Sequence, residues 1–207
     1  MGTAVENEFK FTTCEHLDSD VIIDRLMTFL GQNHINYHLK SKHSVDSYFD
    51  TEDLQLFKMD CILRRKNSSN GKIKLTIKRP MSNEMGMMSR MEIERESDGT
   101  FEDLCDFLHN EFPDLNVPDS PVLYIDCDRT AFDYKDGSDI KLSLDHCFYE
   151  ANGNRKEFFE IELESMDDRT RRDFDRIGAL DFIESLGFHQ VTASKYQRGI
   201  DWKLKLN

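Results

Sequence analysis

The stretch Glu6-Asn7-Glu8-Phe9-Lys10 puts two carboxylates and one ammonium group at alternate positions of the chain. Alternate residues of an extended strand point to the same face, so these three charges share one surface. Five later segments repeat the spacing, and they contain Arg64 and Lys66; Lys74, Thr76 and Lys78; Arg90, Glu92 and Glu94; Lys141, Ser143 and Asp145; and Glu160, Glu162 and Glu164. One such row is typical of a solvent-exposed sheet face. Charges of both signs on six rows instead indicate a barrel whose strands share a charged lumen.

Turn residues predict where the strands begin and end. Ser68-Ser69-Asn70-Gly71, Asp136-Gly137 and Asn152-Gly153-Asn154 are each typical of a β-hairpin. Tight hairpins join antiparallel neighbours, so we predict a mainly antiparallel sheet of about eight strands that closes into a barrel. Pro80 is predicted to end its strand. The predicted strands cover residues 4–13, 34–51 in two pieces, 61–67, 72–79, 88–96, 122–135, 139–149 and 156–165.

Three or more helices are predicted beside the strands, which makes the fold class α+β. Asp18-Ser19-Asp20 begins an amphipathic helix for which Gly31 is the predicted end. Asp98 is predicted to cap a second helix. A longer helix is predicted over 169–186, followed by a short extended or helical tail over 190–206.

Length and charge favour one domain that binds neither nucleic acid nor a membrane. The chain contains no linker or simple repeat, so residues 1–207 are predicted to form a single domain. A formal net charge of −13 repels nucleic-acid backbones, although a basic lumen is compatible with an acidic exterior. No apolar signal segment or membrane-length run is present, which predicts a cytoplasmic protein. The cysteines form no CxxC pair, which argues against a zinc site and a secreted disulfide framework; they are Cys14, Cys61, Cys105, Cys127 and Cys147.

The charged rows suit a divalent metal ion together with a polyanion. Mg²⁺ and Mn²⁺ prefer oxygen ligands, usually a few carboxylates with water and substrate phosphates. The carboxylate candidates are Glu6, Glu8, Asp145, Glu160 and Glu162. A triphosphate needs fixed cations, for which arginine offers a bidentate fork and lysine a point charge. The cation candidates are Arg64, Lys66, Lys74, Lys78, Arg90, Arg129, Lys141 and Lys195.

The order of these rows resembles that of the CYTH domains, also called triphosphate tunnel metalloenzymes. The hallmark of that family is an N-terminal ExExK strand, matched here by Glu6, Glu8 and Lys10. Lys66 stands where the family has a second arginine, so the charge is kept and the planar fork is lost. The other matches, in chain order, are Tyr48-Phe49-Asp50-Thr51, Leu63-Arg64-Arg65-Lys66, Leu75-Thr76-Ile77-Lys78, Arg90 with Glu92 and Glu94, Arg129, Asp145, Glu160 with Glu162 and Glu164, and Ser194-Lys195-Tyr196.

The resemblance implies an eight-stranded antiparallel tunnel with helices packed outside, and a lumen that binds a small-molecule triphosphate with Mg²⁺ or Mn²⁺ as cofactor. The implied chemistry is metal-assisted phosphoryl transfer to water. The implied phosphate ligands are Lys10, Arg64, Lys66, Lys78, Arg90, Arg129 and Lys195, to which strand parity adds Lys74. The implied metal ligands are Glu6, Glu8, Asp145, Glu160 and Glu162. The implied catalytic residues are Lys195 and, lining the lumen or positioning water, Glu92 and Glu94.

Several reactions remain open for a lumen of this kind. Hydrolysis of inorganic triphosphate or a related small triphosphate is the leading hypothesis. The alternatives are cyclic AMP synthesis by a class IV adenylyl cyclase, hydrolysis of thiamine triphosphate or an RNA 5′ end, and polyphosphate binding without catalysis. Class IV cyclases carry a His-Phe pair before ExExK, and residues 1–5 contain none. The acidic chain disfavours RNA, and the complete set of acids disfavours a silent binder.

Overall fold

The structure, a computed structural model, describes residues 2–84, 87–135, 141–165 and 177–206. Within these ranges the strands are β1 (Gly2–Thr13), β2 (Tyr37–Phe49), β3 (Ile62–Ser68), β4 (Ile73–Glu84), β5 (Met87–Glu96), β6 (Leu123–Tyr134), β7 (Lys141–Ala151), β8 (Asn154–Ser165) and β9 (His189–Val191). The helices are α1 (Ser19–Gln32), α2 (Gln55–Lys58), α3 (Phe101–His109), α4 (Ala179–Ser185) and α5 (Lys195–Leu204). None of these five helices has the length and apolar character needed to cross a membrane.

Eight of the strands close into a barrel. Around the barrel the order is β1, β5, β4, β3, β2, β6, β7, β8 and back to β1, and each of these pairings is antiparallel. β9 adds a short antiparallel strand beside residues 10–12 of β1. The predicted eight-stranded antiparallel barrel is confirmed. Because the barrel is closed, alternate residues of every strand face one lumen.

Two of the predicted hairpins lie in the described residues, and both are confirmed. Asn152 and Gly153 form a two-residue turn with positive φ values of 50° and 73°, as a type I′ turn requires. The turn between β3 and β4 contains Gly71, which has a φ of 80°. The third hairpin, at Asp136-Gly137, lies outside the described residues.

Two strands are longer than predicted. The segment 34–51 contains one continuous strand, β2, because β6 pairs with it along almost its whole length and bridges the predicted break. The prediction that Pro80 ends β4 is wrong, since the strand continues past it. The ladder to β5 shifts register between Pro80 and Ser82, and such a bulge accommodates a residue that has no N–H to donate.

Capping contacts set the helix ends. α1 begins within the predicted stretch 18–20, where the Asp18 carboxylate caps it by accepting hydrogen bonds from the backbone N–H groups of Asp20 and Val21. The cap of α3 is Thr100 rather than Asp98, whose carboxylate instead accepts from the Thr100 N–H and hydroxyl. α1 runs one residue beyond the predicted Gly31, to Gln32. The helix predicted over 169–186 is not continuous in its described part, since residues 177 and 178 form a turn, with Gly178 at a φ of 69°, and α4 begins only at Ala179. Residues 169–176 lie outside the described residues.

Four helices cover the outside of the barrel on two sides. α1 and α4 pack on outward residues of β1, β6, β7 and β8, among them Phe9, Phe11 and Phe132. α2 and α3 pack on outward residues of β2 to β5, among them Leu75 and Ile77. These residues alternate with the charged rows, so the barrel has an apolar exterior under the helices and a polar interior.

α5 is different, because it fills one end of the barrel. Tyr196 and Ile200 are almost fully buried among the inward-facing Tyr48, Ile62, Leu123, Tyr149 and Phe158. A β-carbon on Gly199 would lie 2.3 Å from a methyl carbon of Leu123, so this close approach requires glycine. The lumen is therefore a cup with an apolar floor and a charged, open mouth.

Candidate functional site

A cavity of about 560 Å³ occupies the lumen. Among the described residues, eleven lysines and arginines and eight carboxylates line it, so the cavity is net positive although the chain carries −13. Each sequence-predicted site residue except Glu160 belongs to this lining. Those in the lining are Glu6, Glu8, Lys10, Arg64, Lys66, Lys74, Lys78, Arg90, Glu92, Glu94, Arg129, Asp145, Glu162 and Lys195, and Lys141 also lines it.

Asp145, Glu160 and Glu162 form a buried group that we name the carboxylate cluster. The register pairs Asp145 of β7 with Glu160 of β8, and alternation along β8 brings Glu162 to the same face. One oxygen from each carboxylate lies within 4.8 Å of the other two. Glu160 is fully buried behind the cavity wall, where Lys195 and Arg198 of α5 cover it.

Fixed cations keep two members of the carboxylate cluster, Asp145 and Glu162, ionised. Arg129 grips Asp145 through Nε and Nη2, each 2.6 Å from a carboxylate oxygen, and also contacts Glu162. Lys195 Nζ lies 2.7 Å from both of these carboxylates. Burial raises the pKa of Asp145, but Arg129 and Lys195 outweigh burial and hold that pKa below its ordinary value. The pKa of Glu162 is held well below its ordinary value in the same way.

The carboxylate cluster fits a hard divalent cation. Three buried carboxylates whose oxygens lie within 4.8 Å of one another are the ligand type that Mg²⁺ and Mn²⁺ prefer. Their pairing with lysine and arginine side chains shows that the cluster needs compensating positive charge in this buried position.

Glu6 and Glu8 line the same cavity but lie outside the carboxylate cluster. Glu6 pairs with Lys78, while Glu8 accepts a hydrogen bond from Lys10 Nζ at 2.6 Å. Burial raises the pKa of Glu8 to about 7. Burial also acts on Glu6, but the attraction of Lys78 outweighs it and lowers the pKa of Glu6 to about 2. Lys10 links this row to the carboxylate cluster, since its Nζ lies 2.8 Å from Glu162.

Arg64 on β3 is the centre of a second ionic network. Its Nη1 lies 3.1 Å from Asp46, and its Nη2 lies 3.8 Å from both Glu92 and Glu94. Two flanking pairs complete the network, Lys74 with Glu94 at 2.9 Å and Lys78 with Glu92 at 3.3 Å. In this structure Glu92 and Glu94 therefore serve as counter-ions for three lumen cations.

Arg90 is anchored near the floor of the cup. Its two Nη atoms donate to the Asp60 carbonyl oxygen at 3.0 Å and to the Asp60 carboxylate at 2.9 Å. Gln197 of α5 donates to the same carboxylate. Asp60 has a φ of 54°, which is uncommon for a residue other than glycine. This turn holds Arg90 and α5 together.

Lys66 and Lys42 contrast with these paired cations. Both line the cavity, and neither forms a hydrogen bond or an ion pair with any residue in the described part of the chain. Burial lowers the pKa of Lys66, and the attraction of Asp46 only partly opposes this effect. Lys66 is half-buried and Lys42 is exposed at the mouth. Both are therefore available to an incoming anion.

Tyr196 anchors α5 to the opposite side of the barrel. Its hydroxyl donates to the Asp50 carboxylate at 2.6 Å, and that carboxylate also accepts two backbone N–H groups of α2 at 2.8 Å. The Tyr196 ring stacks on Tyr48 with 5.3 Å between centroids. The two sequence motifs at 48–51 and 194–196 thus meet in space. Their contact fixes the start of α5, from which Lys195 reaches into the lumen.

Among the charged residues of this site, sequence reasoning missed Lys42, Asp46, Lys72 and Arg198. Strand parity along β2 would have found Lys42 and Asp46, which alternate with other lining residues. Arg198 lies three residues after Lys195, so the two side chains share a helix face and both reach Glu160.

The fold and the lumen define a closed antiparallel barrel with a cation-rich interior and a buried carboxylate cluster. The family model of the CYTH domain matches residues 19–196. The chain belongs to the CYTH domain family.

Solved structures agree on the fold. A candidate adenylyl cyclase from Hippeastrum with a dominant triphosphatase activity superposes with a TM-score of 0.57 at 19% identity, covering 92% of this chain and 93% of that one. A candidate adenylate cyclase from Bacillus halodurans gives 0.57 at 21% identity, covering 96% and 98%. A protein from Pyrococcus horikoshii gives 0.58 at 19% identity, covering 98% and 99%. A search of curated proteins found no match.

Proposed function

We propose that the protein is a divalent-metal-dependent triphosphatase that hydrolyses inorganic triphosphate or a related small triphosphate. The observation that carries the proposal is one cavity in which surplus lysine and arginine face a buried carboxylate cluster. A triphosphate would neutralise the surplus, and a divalent cation would neutralise the cluster. The triphosphatase activity of the Hippeastrum protein supports the proposal by analogy of fold. We further propose that residues 1–207 act as one cytoplasmic domain on a small molecule.

The lining divides into proposed metal ligands and proposed phosphate ligands. The metal ligands are Asp145, Glu160 and Glu162, with Glu6 and Glu8 in the same cavity. When bound, Mg²⁺ or Mn²⁺ would polarise a phosphate oxygen and lower the pKa of a bound water. The phosphate ligands are Lys10, Arg64, Lys66, Lys74, Lys78, Arg90, Arg129 and Lys195.

The contribution of the protein would be position and charge, which dominate phosphoryl transfer. Lys66 forms no ion pair with a carboxylate among the described residues, so its ammonium group would be free to bind the phosphate chain from the β3 side. Lys195 would stabilise the charge that develops on the transferred phosphoryl group. Glu92 and Glu94, held at the wall by Arg64, would orient water for attack in line with the leaving diphosphate.

A substrate panel tests the proposal. Purified protein is incubated with inorganic triphosphate, ATP or thiamine triphosphate, each with Mg²⁺ or Mn²⁺, and both phosphate and cyclic AMP are measured. We expect phosphate release from triphosphate that stops when the metal is chelated. Cyclic AMP as the main product from ATP would contradict the proposal. Tight triphosphate binding without turnover of any substrate would show a silent binder instead.

A further inference from the structure

Two cysteines lie against the carboxylate cluster although they are distant in sequence. Cys127 on β6 and Cys147 on β7 are direct partners in the antiparallel ladder, two positions from the pair Arg129 and Asp145. Both belong to the inward-facing set, with Cys127 8% exposed on the cavity wall and Cys147 fully buried. The strand pairing therefore holds the two thiols side by side, although their separation in the sequence does not indicate a pair.

The two thiols lie next to Asp145, which is also a member of the carboxylate cluster. The Sγ atoms of Cys127 and Cys147 and one carboxylate oxygen of Asp145 all lie within 4.8 Å of one another. Two sulfurs and one oxygen are a donor set for soft or borderline cations such as Zn²⁺ and Cd²⁺, whereas Mg²⁺ and Mn²⁺ prefer oxygen alone. We propose that Cys127, Cys147 and Asp145 form a second metal site, specific for thiophilic divalent cations.

The geometry needs little adjustment to close around an ion. Zinc–sulfur bonds of about 2.3 Å in a tetrahedron separate two sulfur ligands by roughly 3.8 Å. The observed limit of 4.8 Å therefore requires the two sulfur atoms to approach each other by about 1 Å at most. The two thiols each release a proton to solvent as the two metal–sulfur bonds form. Cys127 faces the cavity, so the fourth position is open to water and the ion has a path of entry.

Occupation of this site would interfere with the carboxylate cluster, because both use Asp145. A cation held by the thiols would draw Asp145 away from Arg129 and Lys195, its present partners. The carboxylate cluster would then lose one of its three donors. Zn²⁺ and Cd²⁺ should therefore inhibit the enzyme, and this consequence rests on the proposed triphosphatase function, whereas the existence of the site does not.

Cadmium titration tests the site directly. Bonds between Cd²⁺ and thiolates absorb in the ultraviolet, while carboxylate ligands give no such band. Protein reduced beforehand and kept free of oxygen is titrated with Cd²⁺ in the presence of excess Mg²⁺. We expect a thiolate band that saturates at one Cd²⁺ per chain. Cys127→Ser and Cys147→Ser should each weaken Cd²⁺ binding by at least about 10-fold, and the double variant should lose the band.

Cys14→Ser is the matched control, because Cys14 is an exposed thiol far in sequence from both strands. It should titrate as the unaltered protein does. A band that survives in the Cys127→Ser/Cys147→Ser variant, or one that disappears in Cys14→Ser, would overturn the proposal. Circular dichroism of each variant checks that the barrel is folded before titration.

Inhibition is measured separately as the fraction of each protein's own phosphate release that remains at saturating Zn²⁺. We expect inhibition that a chelator reverses in the unaltered protein and that is lost in the double variant. If no triphosphate is hydrolysed at all, the proposed function fails while the cadmium titration still decides the site. A saturating thiolate band without inhibition would contradict the shared use of Asp145.

Discussion

The two walls of the lumen differ in how far their charged side chains are paired with opposite charges. On the wall built by β7, β8 and α5, each carboxylate of the cluster contacts at least one lysine or arginine, and Lys195 alone reaches all three. On the wall built by β2 and β3, Lys66 and Lys42 lack such partners among the described residues. On the first wall the carboxylate charges are compensated by lysine and arginine. On the second wall the positive charges of Lys66 and Lys42 are not compensated by a carboxylate.

The difference indicates which wall binds first. A buried ion pair gains little net stability from its own attraction, but removal of one partner leaves a costly uncompensated charge. On the compensated wall, lysine and arginine must therefore give up contacts with the carboxylates before a metal ion can bind to those carboxylates. Lys66 and Lys42 on the other wall form no ion pair among the described residues, so an anion can bind to them without displacing a carboxylate. Substitutions on the two walls should consequently differ in how they affect stability and binding.

Glu162→Gln should have the largest effect. Glu162 contacts Lys10, Arg129 and Lys195, so its neutralisation leaves three cations short of a counter-ion. We expect phosphate release to fall by about 100-fold or more. We also expect the free energy of unfolding to fall by about 3 kcal/mol, the lower end of the cost of breaking a buried ion pair. Steady-state kinetics and thermal melts measure the two effects.

Glu157→Gln is the control for that substitution. Glu157 lies on the same strand but contacts His16 and His146 on the outside of the barrel. Its activity should stay within about 2-fold of the unaltered protein, as is usual for surface substitutions. Equal losses in both variants would mean that strand β8 responds as a whole and that the carboxylate cluster has no special role.

Lys66→Met should separate binding from stability. Methionine keeps the length of the chain and removes the charge that the substrate would meet. We expect KM for triphosphate to rise about 10-fold, corresponding to about 1.4 kcal/mol of lost binding, with no loss of thermal stability. Lys78→Met, on a paired cation, should lower stability as well, because it removes the ion-pair partner of Glu6 and one of the two cations that contact Glu92. Similar melting temperatures for the two variants would remove the distinction between the walls.

The stability of the Lys66→Met variant should also depend on pH. In the folded protein burial holds the pKa of Lys66 below its unfolded value, so the folded state binds fewer protons between these two values. The cost of the buried charge is therefore fully present at neutral pH and disappears as pH rises toward the unfolded pKa. The variant should gain stability relative to the unaltered protein at neutral pH and lose that gain in alkali. Denaturant titrations at neutral and at alkaline pH measure the difference in the free energy of unfolding between the variant and the unaltered protein.

The sequence sufficed for the parts of the site that depend on local pattern. Alternation placed Lys74 and Lys141 in the lumen, and turn residues located the hairpin at Asn152. The pairing of charges depended on register between distant strands, which no local pattern encodes. The register places Asp46 of β2 opposite Lys66 of β3, yet the Asp46 carboxylate contacts Arg64 instead. Arg64 also lies near Glu92 and Glu94 of β5, whereas Lys66 forms no ion pair among the described residues.

The closure of one end of the barrel by α5 also could not be predicted from local sequence pattern. The Tyr196 hydroxyl and the Asp50 carboxylate are 146 residues apart in the chain, and their bond converts a predicted tail into the floor of the lumen. Family resemblance identified both motifs without showing that they touch. The bulge at Pro80 was missed for a similar reason, since it depends on the register with β5.

Tyr196→Phe should loosen the compensated wall without removing any of its charges. The substitution deletes the donor to Asp50 and leaves a buried carboxylate one hydrogen bond short, at a cost of about 1–3 kcal/mol in stability. Because α5 carries Lys195, we expect kcat to fall more than KM rises. Tyr124→Phe, at an exposed tyrosine, is the control and should change neither. A melting temperature equal to that of the unaltered protein would show that the anchor does not hold α5.

Lys42→Ala should have the smallest effect, and it tests how far the uncompensated wall extends. Lys42 lines the mouth of the cavity but is exposed to solvent, where screening weakens any single charge. We expect a rise in KM of about 2- to 3-fold, which corresponds to well under 1 kcal/mol, and this rise should shrink as salt is added because the screening length shortens. Lys40→Ala is the matched control, since Lys40 lies on the same strand and pairs with Asp133 outside the cavity lining. A salt-independent rise as large as that of Lys66→Met would place the phosphate chain at the mouth rather than deep in the lumen.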